Sequence, residues 1–163
     1  MGASDSLTGN DVFKLLGDEE LAKINKFSSE KKFKAGDVIY RRATPSSHFF
    51  LVLEGSVLLV LPEELGRHEI TISRVEKGEM VGMSQFLGHN RYTVRAVAEV
   101  DTVLKVIEAK PFLEILKSNP MVLNEVRAAV ARTYYARYLG LLSKLQGVVS
   151  QLISIPEKSA ERT

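Results

Sequence analysis

The sequence contains no cysteine. Disulfides, thiolate metal sites and a cysteine nucleophile are therefore excluded, and the composition suits a reducing compartment such as the cytoplasm. No apolar run approaches the ~20 residues that a bilayer-spanning helix requires. The N-terminus, "MGASDSLTGNDVF", lacks the basic-then-apolar pattern of a secretory signal. Gly2 followed by Ser6 matches a myristoylation pattern only loosely and is read as chance. Neither sign of charge dominates: 22 Lys and Arg stand against 20 Asp and Glu, a formal net charge of +2. That balance gives no electrostatic case for nucleic acid. The histidines His48, His68 and His89 are not paired on one element, so no metal site is expected. Ser84 has neither a neighbouring base nor a glycine elbow, which argues against a hydrolase. No cofactor and no enzymatic activity are expected.

What remains is the composition of an ordinary globular chain. It has 163 residues, 45% hydrophobic and 26% charged, which suits one domain with a real core. Residues 8–27 look helical, with Asn10 and Asp18 as candidate caps and Gly17 as a break. Residues 31–108 are rich in Val, Ile, Leu, Phe and Thr, broken at Gly36, Thr44-Pro45, Glu54-Gly55, Glu64-Leu65-Gly66 and Lys77-Gly78. This reads as many short strands. "EITIS" and "TVRAVA" alternate with period two, which predicts one buried and one wet face. Pro111 opens a short helix, and Asn119-Pro120 caps a long one from about 120 to 153. The expected organisation is N-terminal helices over 1–28, a β-barrel over 29–109, C-terminal helices over 110–155 and a polar tail over 156–163. The fold class is mainly β with flanking helices, a jelly-roll barrel or similar.

Four stretches carry a resemblance: "FKAGDVIY" (33–40), "HFFLVLEGSVLLVL" (48–61), "RVEKGEMVGMSQFLG" (74–88) and "RYTVRAVAEVDTVLKVI" (91–107). In this order and spacing the chain resembles the cyclic nucleotide-binding domain, the sensor of catabolite activator proteins and protein kinase A regulatory subunits. The resemblance implies an eight-stranded jelly roll, a short helical turn at the ligand and a long C-terminal helix. It also implies a phosphate-binding cassette at Val81, Gly82, Met83, Ser84 and Gln85, continuing through Asn90, Arg91, Tyr92 and Thr93. Met83 stands where the family carries a ribose-binding glutamate, and a thioether is a poor acceptor for a sugar hydroxyl. Asn90 stands at the family's arginine. Arg91, one residue on, is either a shifted phosphate contact or a surface arginine. Backbone amides at the turn still suit an anion.

The long helix carries a second signal. Tyr134, Tyr138, Leu141, Leu145, Val148, Leu152 and Ile155 are spaced by alternating fours and threes, the 3.5-residue seam of a coiled coil. Tyr138, Leu141, Leu145, Val148 and Leu152 are the expected dimer interface. By the resemblance, Tyr134 and Tyr135 are candidates to stack on a ligand's base, against a plainer role in core and seam packing. The family's DNA-binding members continue into a helix-turn-helix domain, whereas here a polar tail follows Ile155. The expected function is a cytoplasmic, homodimeric sensor of a cyclic nucleotide (cAMP or cGMP) or another phosphorylated ligand. It would signal to a protein partner without binding nucleic acid by itself or a membrane. The alternative is a ligand-free dimeric scaffold.

Overall fold

The structure, a computed structural model, describes residues 11–61 and 69–153. Asn10, Glu63-Glu64, His68, Ile155 and the tail lie outside the described residues. Eight strands form two antiparallel four-stranded sheets. They are β1 (Ser28–Phe33), β2 (Val38–Tyr40), β3 (His48–Glu54), β4 (Ser56–Leu61), β5 (Ile70–Glu76), β6 (Met80–Val81), β7 (Arg95–Ala98) and β8 (Thr102–Glu108). One sheet has the order β1-β8-β3-β6 and the other β2-β7-β4-β5. Three α-helices flank them: α1 (Asp18–Asn25), α2 (Ala109–Lys117) and α3 (Pro120–Ile153). No described helix is long and apolar enough to cross a membrane.

The uninterrupted run "FFLVL" in β3 is explained by burial on both sides. Phe50 and Val52 point between the sheets, into a core with Val57, Val75, Val81 and Leu104. Phe49 and Leu51 point the other way, into a second core beneath the helices with Ile107, Phe112 and Val126. The same alternation puts Lys105 of β8 on the helical side, where it is buried and donates to Asn25 at 3.0 Å.

Local sequence sets the helix ends, with two departures from expectation. Gly17 precedes α1, and the Glu20 carboxylate accepts its N–H at 2.8 Å. Asp18 is thus the first helical residue and not the cap. "FKL" before it forms only a 3-10 turn, Phe13–Leu15. Asn119 caps α3 as expected, accepting the Val122 N–H at 3.3 Å. Pro111 lies inside the first turn of α2, where a missing N–H costs nothing.

Candidate functional site

The stretch from β6 to β7 forms the cassette. After Val81 the chain turns at Gly82, with φ +77. A 3-10 turn follows, Ser84–Leu87, and Gly88 ends it at φ +80. A Cβ at Gly82 would lie 3.2 Å from the Tyr92 ring and 3.3 Å from the His48 carbonyl oxygen. Glycine is needed there both for the backbone angle and for the close approach. Met83 and Phe86, three residues apart on the turn, both point into the helical core. The Phe86 ring meets Phe49 edge-on at 5.1 Å and Phe112 at 5.5 Å. Burying side chains of this size contributes about 1.5–3 kcal/mol each, so the turn is anchored from below. From above, the Ser84 hydroxyl donates to the Arg91 carbonyl at 3.0 Å, closing the loop.

Between this cassette, the β2-β7-β4-β5 sheet and α3 lies a cavity of about 200 Å³. Its floor is Gly82, Ser84 and Tyr92, its side wall Leu59, Ile72 and Val94, and its roof Tyr134, Arg137, Tyr138 and Leu141 of α3. Tyr40 also lines it. Its ring stacks on Tyr92, with centroids 3.9 Å apart and planes 17° apart. The Tyr92 hydroxyl donates to the His48 carbonyl at 2.6 Å. Burial pushes the Tyr40 phenol well above its ordinary range, Tyr134 adds to this, and Arg137 and the Gly82 amide pull the other way. Burial also raises the Tyr92 and Tyr134 phenols. All three tyrosines are therefore neutral at physiological pH. Arg137 donates to the Met80 carbonyl at 2.6 Å, tying α3 to the start of the cassette. Burial lowers its pKa, against the opposing pull of Tyr40, Tyr134 and Glu79.

The residues expected at the ligand divide into two groups. Gly82, Ser84, Tyr92, Thr93 and Tyr134 line the cavity. Val81, Met83, Gln85, Asn90, Arg91 and Tyr135 do not. Val81 is in the inter-sheet core. Met83 is 1% exposed beneath the helices, so a glutamate there would face the helical core and not a ribose. The turn's rotation, set by the positive φ at Gly82, sends that side chain away from the cavity. Gln85 lies over α2, beside Lys110 and Arg127. Asn90 and Arg91 are exposed, and the Arg91 guanidinium is held on the Ala43 carbonyl at 2.5 Å. Tyr135 is 61% exposed on the outer face of α3.

The seam expectation also shifts. The barrel reaches further along α3 than its length suggested. Leu141 is half-buried over the cavity, and Lys144 donates to the Ile72 carbonyl at 3.4 Å. Tyr134 and Leu141 therefore face the barrel. Tyr138, Leu145, Val148 and Leu152 are exposed, as are Tyr135, Leu142 and Val149. The solvent-facing stripe with regular three-four spacing is Tyr135, Tyr138, Leu142, Leu145, Val149 and Leu152.

Sequence reasoning missed Tyr40 and Arg137. Tyr40 ends "DVIY" and read as ordinary strand core. Arg137 left a signal: it interrupts an apolar helix face at Tyr134, Tyr138 and Leu141. Among the described residues, no group of His, Asp or Glu is placed to hold a metal ion.

Comparison with known proteins places this geometry. The profile of the cyclic nucleotide-binding domain matches residues 30–119. A cGMP-dependent protein kinase of Drosophila melanogaster is 27% identical over 96 residues, which are 59% of this chain and 10% of the kinase. The chain thus spans about a tenth of that relative's length. A putative cyclic nucleotide-binding protein from Geobacter metallireducens superposes with TM-score 0.72 at 27% identity, over 85% of this chain and 99% of that one. The regulatory subunit of a cAMP-independent protein kinase A from Trypanosoma brucei gives TM-score 0.68 at 26% identity, over 86% of this chain and 49% of that one. A triple-substituted form of that subunit is described as bound to cAMP in its A site. The motifs, the two-sheet barrel with its cassette and long helix, and the matching profile agree: the chain belongs to the cyclic nucleotide-binding domain family.

Proposed function

We propose that the chain is a non-enzymatic, small-molecule-sensing regulatory module. A ligand enters the cavity between cassette and α3, and α3 carries the change to a second copy of the chain or to a protein partner. One observation carries this reading: Gly82 and Ser84 of the cassette and Tyr134, Arg137 and Tyr138 of α3 line the same cavity. Any occupant that contacts these groups differently in two arrangements of α3 shifts the balance between them. Tyr138 links the two ends of the signal, since it lines the cavity yet is 54% exposed at the edge of the outer stripe. That stripe is the surface for the second copy. An apolar helix face of this length is unusual on a soluble monomer, and a two-fold axis lets one surface serve both partners.

A cyclic nucleotide fits the cavity less well than the family name implies. Its volume of about 200 Å³ is below the ~300–1,000 Å³ of ordinary ligand pockets. No carboxylate faces the cassette turn from Met83, and Arg91 is occupied on Ala43. The cAMP-independent relative supports separating the fold from that ligand. A second reading, a ligand-free dimeric scaffold, is favoured by Tyr40, whose buried ring stacks on Tyr92 and narrows the site.

Thermal unfolding against a panel of cAMP, cGMP, AMP and small organic acids separates the two. A ligand at a hundred times its dissociation constant adds about 2.7 kcal/mol, several degrees in a domain of this size. The sensor reading requires such a shift from at least one compound, abolished by the cavity-filling change Val94→Phe. No shift from any compound favours the scaffold.

A further inference from the structure

Among the described residues, Arg137 is the single charged side chain on the cavity wall. It is half-buried, and none of the ion pairs among the described residues includes it. Its hydrogen-bond partner is a neutral carbonyl, that of Met80. Glu79, the acidic group nearest to it electrostatically, already accepts the Glu76 N–H at 2.7 Å. On its outer side Arg137 borders a cleft shared with Arg74, Glu79 and Lys144, in which Arg74 is already paired with Glu76 and Glu99. A half-buried guanidinium whose hydrogen bond goes to a neutral carbonyl, with no ion pair of its own, keeps donors for an anion. The rest of the cavity is apolar: Leu59, Ile72, Val94, Leu141 and the faces of Tyr92 and Tyr134.

We infer that the cavity takes a small monocarboxylate with an aromatic or branched apolar body, its carboxylate on Arg137 and its body against Leu59, Ile72, Val94 and Leu141. This rests on the cavity being the ligand site, as proposed above. The planar guanidinium fork matches a carboxylate in two parallel bonds. A phosphate dianion would bring a second charge that no other cavity side chain answers. The volume of about 200 Å³ suits a benzoate-sized acid better than a nucleotide. A carboxylate is also a stronger acceptor than the neutral Met80 carbonyl. Binding therefore draws Arg137 off the cassette and frees α3 to move.

The test is titration calorimetry on the full chain with benzoate, 3-phenylpropionate and 4-methylpentanoate, each paired with its neutral primary amide. At least one acid binds, its amide binds ten times more weakly or worse, and Arg137→Met abolishes binding. Val94→Phe blocks it without touching the cation. Equal binding of acid and amide, or binding unchanged by Arg137→Met, overturns the inference. Should Arg137→Met fail to fold, the acid–amide comparison on the unaltered chain decides alone. Binding of cAMP that is indifferent to Arg137 removes this inference and leaves the sensor reading standing. Silence from every acid, amide and cyclic nucleotide removes the sensor reading itself.

Discussion

Replacing Leu145 by glutamate strikes the middle of the proposed dimer seam. Leu145 is 52% exposed in the single chain. Full burial of a leucine is worth about 1.5–3 kcal/mol, so covering the exposed half contributes about 1 kcal/mol in each copy. The variant loses this twice. It also brings two carboxylates to a dry contact, where each unpartnered group costs about 1–3 kcal/mol. The sum is at least about 4 kcal/mol, a weakening near a thousandfold. Light scattering across a concentration series reads it directly: a dimer for the parent and a monomer for Leu145→Glu. The register is tested by two further variants. Leu142→Glu, on the solvent-facing stripe, dissociates the dimer too. Val148→Glu, flanking that stripe, changes it little. A monomeric parent at tens of micromolar refutes the dimer. Dissociation by Val148→Glu with a tolerant Leu142→Glu refutes the register and restores the seam read from spacing alone.

Three other changes follow from local geometry. Leu141→Glu puts a carboxylate one helical turn from Arg137, facing the same cavity; it should fill the anion seat, blocking organic acids in calorimetry while leaving the dimer intact. Gly82→Ala forces an L-residue to φ +77 and a Cβ to 3.2 Å from the Tyr92 ring; it should cost at least about 1–2 kcal/mol, and an unchanged urea midpoint contradicts this. The Glu99 carboxylate accepts from the Ser56 hydroxyl and from Arg74, both at 2.6 Å, which lowers its pKa below the ordinary 4.5. Its contribution is present above that value and is lost as pH falls through the folded-state pKa. Glu99→Gln should therefore flatten the fall in stability on acidification below the ordinary carboxylate pKa, and an identical acid slope would contradict the assignment.

The barrel was legible because its signals are local. Alternation in "TVRAVA", unbroken apolar runs in β3 and β4, and glycines at positive φ all belong to single strands and turns; "EITIS" does not sort into a buried and a wet face, because Ile70 is 56% exposed and Ile72 and Ser73 are both half-buried. The long helix was legible for the same reason. Where sequence reasoning ran out, the deciding fact was which neighbour covers a face. Tyr134, Tyr138, Leu141, Leu145 and Val148 share a coiled-coil spacing, but so do Tyr135, Tyr138, Leu142, Leu145 and Val149. Only the position of β5 beside Leu141 and Lys144 separates them. Met83 shows the same limit at a single residue. Matched by sequence to the family's glutamate, it lies instead under the helices, beyond the turn at Gly82. Tyr40 and Arg137 meet across ninety-odd residues of sequence, and no spacing rule brings them together.

The cavity is lined by both cassette and α3, so an occupant acts on both. Amide hydrogen exchange with and without saturating 3-phenylpropionate tests it most directly. The expected result is a coupled change in protection over residues 80–84 and 134–141, absent in Arg137→Met. Binding that alters exchange in only one of these segments, or in neither, would contradict it.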